Sequence, residues 1–469
     1  MLYGLAVPAI VLLVAAPAEL RAQVAIPDTP AGRFASTWLK AYNSADPKEL
    51  ERYNALYNRK TPPQTWIDMH AMTGGLTPVR IEARGPNEMT VLMSPGHGDA
   101  FWQLKVSIDP ADPMKVTGAG LGTADRPAEF AIPRVPRAEL NRMMAQKLAQ
   151  DVAADRFAGT IMVARHGKVI YQKAAGLADR AAKVPVTMDT KFRIGSANKM
   201  FTAIGALQLV EKGKLTLDAP VGTYLREYPN AQFAKTVTIR QLLSHTGGAG
   251  DIFTPEYQAK RNEVRTLADY VTLFGNRAPD TSPEGKNAYS NYGFVLLGRI
   301  IEVVSGEDYY SYVQRHIFVP AGMIDTASLP EEVAVAKRSR GYTRSGGKLA
   351  DNADTLPYRG SAAGGGYTTA ADLIRFGDAL RSSGKLLSKT MLSQATAPQH
   401  PDGWYGFGFW IGGQGPTRNW GHGGGAPGMN AAFRVYPELD AVVVALANLD
   451  PLAADNQADW YANRMALNE

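Results

Sequence analysis

The chain contains no cysteine, which excludes disulfides, a thiol nucleophile, cysteine-bound metal and lipid attachment to an N-terminal cysteine. Its seven histidines are scattered, with no His-x-x-x-His pair, so the sequence offers no recognisable metal site. No cluster of lysine and arginine stands out, and a formal net charge of +6 over 469 residues argues against nucleic acid as a partner. The small basic excess leaves an association with an anionic cell envelope open. What remains is ordinary globular composition, 45% hydrophobic and 20% charged, in a chain long enough for two domains.

Residues 1–22 begin with an apolar run, Leu5–Ala16, and continue with small residues of the kind that signal peptidases cleave after. The run is too short for a comfortable membrane span, so it predicts an export signal and a periplasmic or secreted protein. No lysine or arginine precedes the run. Two alternatives therefore stay open, namely an uncleaved N-terminal anchor and an incorrectly assigned start.

Residues 27–131 differ in character from the rest of the chain. Their hydrophobic patterns predict two helices and then four strands, over 31–43, 48–57, 79–83, 88–93, 100–108 and 115–120. Helices followed by a curved antiparallel sheet resemble the NTF2-like cone. The alternative is a pro-region or spacer that only packs against the C-terminal part of the chain. The proline-rich stretch 125–136 predicts the domain boundary.

Residues 138–469 form the predicted second domain. It begins with a helix over 138–154 and a hairpin over 160–173, and it ends with strands over 429–436 and 441–448 before a last helix from about 453. Strands from both ends can pair in one antiparallel sheet, which leaves a mainly helical middle. Within that middle, residues 249–286 are mostly polar and contain glycine, which predicts a long loop. The predicted fold class is α+β.

Ser196 and Lys199 stand three residues apart at the start of an apolar run, Met200–Val210. The run predicts a helix buried inside the domain, and a helix places residues i and i+3 on one face. A buried lysine loses the water that stabilises its ammonium form, so its neutral amine can take the proton of a neighbouring serine. The pair therefore predicts a nucleophile and its base.

The Ser-x-x-Lys pattern occurs three times, so the pattern alone does not identify the nucleophile. The other two matches lie in glycine-containing segments typical of turns, and they are Ser345/Lys348 and Ser382/Lys385. Only Ser196 opens an apolar helix. The plainer alternative for Ser196 is a polar helix cap followed by a solvated lysine.

Two further motifs come later in chain order, Tyr289–Asn291 (Tyr-Ser-Asn) and His422–Gly424 (His-Gly-Gly). Together with Ser196–Lys199 they resemble the motif set of the serine β-lactamase and penicillin-binding protein superfamily, closest to class C β-lactamases, DD-peptidases and family VIII esterases. The resemblance covers residues 138–469. It implies a β-lactamase/transpeptidase-like domain, in which helices flank an antiparallel sheet and a helical lobe is added. It also implies a small-molecule or peptide-like acyl substrate and no metal or organic cofactor.

The resemblance also implies roles for the residues. Ser196 would attack a carbonyl and form an acyl-enzyme, while Lys199 and Tyr289 share the proton transfers. A phenol has a pKa near 10, so Tyr289 can act as a base only if nearby positive charge such as that of Lys199 lowers it. The backbone N–H groups of Ser196 and of the strand Gly424–Gly425 would hold the oxyanion. Asn291 would orient a substrate amide or the lysine.

Chain order separates these motifs from chance matches. Tyr-x-Asn also occurs at Tyr228 and Tyr461, and His-x-Gly also occurs at His245. Only Tyr289 and His422 come after the serine in the order that the family shows. His245 is therefore interpreted as a residue that orders a loop.

The third motif departs from the family pattern. β-Lactamases and DD-peptidases usually have Lys-Thr-Gly there, whereas a histidine at position 422 makes the cation dependent on pH. Substrates without a carboxylate should then be preferred near neutral pH, and selectivity for anionic substrates should grow as the pH falls. The sequence predicts a serine hydrolase that cleaves an ester or amide, of the esterase or D-amino-acid peptidase type. A true class C-like β-lactamase and a catalytically silent module that binds envelope peptides are the alternatives.

Overall fold

The computed structural model describes residues 24–83, 85–345, 347–382 and 384–469, so the predicted export signal lies outside the described residues. These residues group into two units by their contacts. The first comprises residues 24–61, Leu76–Pro95 and Phe101–Asp125, and the second comprises Pro62–Gly75, Gly96–Ala100 and Arg126–Glu469. The second unit thus includes two short stretches that precede the predicted boundary, which stays a prediction. Among the described residues, no helix is long and apolar enough to cross a membrane.

The first unit is a pair of helices beside a four-stranded antiparallel sheet. Thr29 starts the first helix by accepting a hydrogen bond from the N–H of Gly32 at 3.1 Å, and a proline occupies the first turn. The strands pair in sequence order, β1-β2-β3-β4. The elements are α1 Pro30–Ser44, α2 Pro47–Leu56, β1 Leu76–Ala83, β2 Glu88–Pro95, β3 Phe101–Asp109 and β4 Asp112–Ala124. The predicted order of helices and then sheet is confirmed, while the likeness to the NTF2-like cone stays a prediction.

The second unit is built on a six-stranded antiparallel sheet whose order is β13-β14-β15-β16-β5-β6. The C-terminal strand β16 pairs with the N-terminal strand β5, and every residue of both is buried. The predicted closure of one sheet from both ends is confirmed. The strands are β5 Gly159–Arg165, β6 Lys168–Ala175, β13 Trp410–Gly412, β14 Asn419–Ala426, β15 Met429–Tyr436 and β16 Ala441–Ala447. Shorter strands are β7 Leu177–Asp179, β8 Val184–Pro185, β9 Phe192–Arg193, β10 Tyr342–Ser345, β11 Lys348–Asp351 and β12 Tyr367–Thr368.

The helix that begins just after the serine, α5, lies inside this unit. It runs from Lys199 to Glu211, and its residues are buried as far as Leu209, as the all-apolar pattern predicts. The other helices are α3 Pro63–Thr73, α4 Arg137–Ala153, α6 Ala231–Thr236, α7 Ile239–Leu243, α8 Pro255–Lys260, α9 Leu267–Phe274, α10 Pro283–Lys286, α11 Asn291–Ser305, α12 Tyr309–Val313, α13 Val319–Ala321, α14 Ala370–Arg381, α15 Lys389–Ala395 and α16 Ala453–Arg464.

The prediction of a long loop over residues 249–286 is wrong, because three of these helices, α8 to α10, lie in it. Each is short and each begins at a side chain that caps its first turn. At α9, Thr266 and Asp269 form a capping box, with the threonine hydroxyl accepting from the N–H of Asp269 at 3.2 Å. That signal is present in the sequence, but the high polarity of the segment concealed it.

Candidate active site

Ser196 lies where the buried helix of the second unit begins. It belongs to a one-turn 3₁₀ helix, Gly195–Asn198, that continues directly into α5. Lys199 is fully buried, and its Nζ lies 3.2 Å from Oγ of Ser196. The predicted pair is therefore within hydrogen-bonding distance. The alternative of a solvated lysine is wrong, since no part of Lys199 reaches water.

Two oxygen atoms besides that of Ser196 hold the Lys199 amine. Nζ donates to Oδ1 of Asn291 at 2.7 Å and to the backbone oxygen of Ala363. Burial places the pKa of Lys199 well below its usual value, while the charge of Asp251 acts in the opposite direction. A neutral amine has two N–H groups, and these two oxygens use both of them, so its lone pair is left for the Ser196 hydroxyl. The arrangement can remove the proton of Ser196.

Asn291 links the lysine to a carboxylate that the sequence did not reveal. Its Nδ2 donates to Oδ1 of Asp251 at 2.9 Å, and the same oxygen accepts the backbone N–H of Ile252 at 2.6 Å. Because the amide nitrogen must donate to the carboxylate, the amide oxygen faces Lys199. The contacts of Asn291 are those expected of a residue that orients the lysine. Asp251 stands at the end of a Gly-Gly-Ala-Gly segment, where its spacing marks no motif.

Tyr289 lies on the other side of the lysine. The Lys199 Nζ is 4.8 Å from the centre of the tyrosine ring, and the phenol oxygen is buried without a hydrogen bond of standard geometry. Burial raises the pKa of Tyr289, hydrogen bonding by nearby Ser196 opposes that effect, and the charge of Asp251 adds to it. The condition for Tyr289 to act as a base, a pKa lowered by Lys199, is therefore not met in the free protein. A neutral phenol beside Ser196 can instead donate a proton.

His245 packs against the ring of Tyr289. Its Nδ1 accepts the backbone N–H of Ser290 at 3.0 Å, and its ring packs 4.2 Å from that of Tyr289 and 4.5 Å from that of Tyr405, measured between centroids. Burial holds the pKa of His245 well below its usual value, so the ring is neutral. These contacts are what a residue that orders the Tyr289 loop would make.

The glycines of strand β14 bring its backbone close to the turn that carries Ser196. A Cβ on Gly424 would lie 1.7 Å from the backbone oxygen of Ile194, and a Cβ on Gly195 would lie 3.0 Å from the nitrogen of Gly425. Gly195 also has a φ of 51°, which favours glycine. The predicted oxyanion residues Gly424 and Gly425 are thus brought against the turn that carries Ser196.

Asn430 on β15 fixes this strand. Its Nδ2 donates to the oxygen of Gly424 and to Oδ2 of Asp455, each at 2.9 Å, and its Oδ1 accepts a backbone N–H at the start of α16 at 2.6 Å. The C=O of Gly424 and the N–H of Gly425 belong to one planar trans peptide and point in opposite directions. Holding the oxygen toward Asn430 therefore aims that N–H to the opposite side of β14, the geometry that an oxyanion contact beside Ser196 requires.

His422 is not among the residues that line the cavity into which Ser196 opens, and its role in substrate binding stays a prediction. It is fully buried, its Nδ1 donates to the oxygen of Gly423, and its Nε2 accepts the hydroxyl of Tyr405 at 2.9 Å. Its ring stacks on that of Trp410 with centroids 4.8 Å apart. Burial lowers the pKa of His422 to about 3, with the charge of Lys199 acting in the same direction. A pKa lowered in this way weakens the pH-dependent selectivity expected from the imidazole, and that selectivity stays a prediction.

A family model described as Beta-lactamase matches residues 143–468. The chain belongs to the beta-lactamase family. Penicillin-binding protein 4 of Amycolatopsis lactamdurans is 30% identical over 298 residues, 60% of this chain and 77% of that protein. The esterase EstB of Burkholderia gladioli is 32% identical over 197 residues, 38% of this chain and 50% of that protein. The crystal structure of a penicillin binding protein from Bacillus halodurans superposes with a TM-score of 0.61 at 31% identity, covering 67% of this chain and 99% of that one.

The beta-lactamase-family segment contains every residue of the site, and membership makes the protein one of the serine hydrolase type. Six of the predicted residues are brought together by the structure, and His422 lies behind them. The six are Ser196, Lys199, Tyr289, Asn291, Gly424 and Gly425. The sequence analysis did not find four residues that hold the site: Asp251, Ala363, Tyr405 and Asn430. The competing matches lie elsewhere, since Lys348 begins β11 and Ser382 comes directly after α14.

Ser196 opens into a cavity of about 510 Å³. Part of the wall comes from the turn and strand of the site, with Asn291, Ala363 and Gly425 among its residues. Much of the rest is supplied by α8 with the residues that flank it and by the chain around Pro357. A cavity of this volume holds an acyl group and part of a leaving group, and it connects the nucleophile to solvent.

Replacing Asn430 with aspartate should lower kcat by about a hundredfold and change KM little. Aspartate cannot donate to the Gly424 oxygen, and it adds negative charge near the developing oxyanion. The matched control is Asn448→Asp, because Asn448 is equally buried and its Nδ2 donates to the backbone oxygens of Leu177 and Arg340. Both variants should lose stability, which thermal melts will show. An equal loss of kcat per folded molecule in both variants would refute the role of Asn430.

The buried His422 should make the protein less stable as the pH falls from about 6.5 toward 3. The unfolded chain takes up the imidazole proton near pH 6.5 and the folded protein only near the lower value, so the unfolded state binds one more proton between them. Each pH unit then removes about 1.4 kcal/mol from the free energy of unfolding. Urea unfolding of the wild type and His422→Gln, from about pH 7 to about pH 4, measures the effect. The slope of the free energy of unfolding against pH should be steeper for the wild type, by the amount that corresponds to about one proton. Equal slopes in the two proteins would show that the imidazole is solvated.

Proposed function

We propose that the protein is a serine hydrolase that cleaves an ester or amide through an acyl-enzyme on Ser196, of the esterase or D-amino-acid peptidase type. The observation that carries the proposal is the buried Lys199, whose two N–H groups are used by Asn291 and Ala363 while Nζ lies 3.2 Å from Oγ of Ser196. A structural lysine would need a carboxylate partner to stay charged in this position. A depressed pKa beside a serine is what a general base requires.

In the proposed acylation step, Lys199 takes the proton of Ser196 as Oγ attacks the substrate carbonyl. A bond forms between Oγ and the carbonyl carbon, and the negative charge moves to the carbonyl oxygen. The backbone N–H groups of Ser196 and Gly425 stabilise that charge. When the bond to the leaving group breaks, the leaving oxygen or nitrogen receives a proton, either from Lys199 or through the neutral hydroxyl of Tyr289.

Deacylation repeats these steps with water as the nucleophile. The neutral amine of Lys199 takes one proton of a water molecule that attacks the acyl carbon, and Oγ of Ser196 receives a proton as it leaves. The acid product departs and the free enzyme is restored. The two steps together consume only the substrate and one water molecule. The esterase relative supports the ester as one substrate type. We also propose that the protein acts after export, as the apolar residues 5–16 suggest.

Covalent labelling tests this proposal. A fluorophosphonate, a penicillin and a chromogenic ester are incubated with the protein, and intact mass followed by peptide mapping locates the adduct. We expect one adduct, on the peptide that carries Ser196, and release of p-nitrophenol from the ester. Labelling with the penicillin followed by rapid turnover would favour the β-lactamase alternative. No adduct with any acylating probe would favour the silent binding module.

A further inference from the structure

The cavity above Ser196 is apolar along its walls and positively charged at two points. Its apolar wall residues include Ile252, Phe253, Leu356, Pro357 and Met429. Its charged wall residues, within the part of the chain that the structure describes, are two arginines, Arg261 and Arg359, and no aspartate or glutamate lines it. A cavity whose charged lining has only one sign favours a ligand of the opposite sign.

Arg261 is the residue that makes this charge available. It lies just past the C-terminal end of α8 and is half-buried in the cavity wall. Its guanidinium has no hydrogen bond or ion pair with any residue that the structure describes, in contrast to most arginines of the second unit. An arginine fork without a partner beside an apolar cavity is suited to bind a planar carboxylate with two hydrogen bonds.

Arg359 is held more firmly. Its Nε donates to the backbone oxygen of Ser328 at 2.6 Å, and its guanidinium carbon lies 3.2 Å above the centre of the Tyr310 ring. It therefore contributes positive field to the cavity from a fixed position, while Arg261 keeps its hydrogen-bond donors. The family's usual cation in the third motif is replaced here by His422, which is buried and faces Tyr405.

We propose that the substrate carries a carboxylate separated from the scissile carbonyl by an apolar chain, and that Arg261 binds this carboxylate. This inference rests on the proposed acyl-enzyme function and reverses the preference for uncharged substrates that the sequence suggested. The apolar walls accommodate the chain, and the unpaired guanidinium selects its charged end. Arg261 and Arg359 are the two side chains of permanent positive charge along the described cavity wall.

The test compares mono-p-nitrophenyl esters of dicarboxylic acids, from succinic to suberic acid, with the methyl esters of the same compounds, which lack the charge. We expect the wild type to have a kcat/KM about ten- to a hundredfold higher for the anionic ester at the best chain length. Arg261→Gln should abolish this preference by lowering kcat/KM of the anionic ester, with less than about threefold change for the neutral one. Arg261→Lys should restore part of it, since the charge returns without the fork.

The matched control is Lys260→Gln, which removes one positive charge from the adjacent, exposed position outside the cavity wall. It should leave the preference intact. Equal kcat/KM for charged and neutral esters in the wild type, or an equal loss for both esters in Arg261→Gln, would overturn the inference while leaving the hydrolase intact. No turnover of any ester, together with no adduct on Ser196, would overturn the proposed function and this inference with it.

Discussion

Ser196→Ala should abolish turnover while the protein stays folded. Removing the nucleophile of a serine hydrolase typically lowers kcat by about a millionfold, because the remaining groups have nothing to activate. The fold should tolerate the change, since alanine suits the 3₁₀ turn and the substitution removes a single hydroxyl, which lies beside Lys199. The measurements are kcat for the best ester of the series, far-UV circular dichroism and the thermal midpoint of unfolding.

Ser382→Ala is the control for this variant. Ser382 belongs to a second Ser-x-x-Lys match, and its hydroxyl donates to the backbone oxygen of Asp378 at 2.8 Å on the surface. It should retain full activity. Hydrolysis that persists in purified Ser196→Ala at more than a trace would place the nucleophile elsewhere and would invalidate the assignment of the base as well.

Lys199→Met should lower the acylation rate by about a thousand- to ten-thousandfold without lowering the thermal midpoint. Methionine has nearly the same length as lysine but no amine, so Ser196 keeps its proton. The folded protein holds Lys199 with a depressed pKa, so between that pKa and about 10 the unfolded chain binds a proton that the folded protein does not. Stability is therefore lost as the pH falls below about 10, and an apolar replacement removes that cost.

Single-turnover kinetics give the acylation rate, and thermal melts from about pH 7 to about pH 9 give the stability difference. Tyr289→Phe is the comparison, because it removes the phenol oxygen and leaves the lysine. If the amine is the base, Tyr289→Phe should lower the acylation rate less than Lys199→Met does. A larger loss in Tyr289→Phe, or a melting point of Lys199→Met far below that of the wild type, would contradict the role given to Lys199.

Features set by local sequence patterns could be predicted. The all-apolar run after Lys199 predicted a buried helix, and burial with an i, i+3 serine predicted the pair that the structure brings within 3.2 Å. Strand patterns near both ends of the second unit predicted the closure of β5 against β16. Chain order selected Tyr289 among three Tyr-x-Asn matches, and its ring does lie beside the lysine.

Features set by packing between distant segments could not be predicted. The sequence shows a histidine at position 422, but it does not show that Tyr405 and Trp410 enclose the ring, whose burial lowers the pKa below that of a free histidine. Asp251 and Asn430 carry no motif, because the hydrogen bonds that connect them to Asn291 and Gly424 span 40 and 6 positions of the chain. Arg261 lies in a segment that composition alone classified as a loop, so its position in the cavity wall was not evident.

The strand order of the second unit also determines when the protein becomes reactive during its synthesis. The strand β5 pairs with β6 and with β16, and β16 ends at Ala447, so the second of these pairings cannot form until that residue has been synthesised. The strand that approaches Ser196, β14, is likewise made more than 200 residues after the serine. Pairings of such high sequence separation form late and slowly. A growing chain therefore carries the serine and the lysine for about half of its synthesis without an oxyanion site, and we expect hydrolytic activity only when nearly the whole polypeptide has been made.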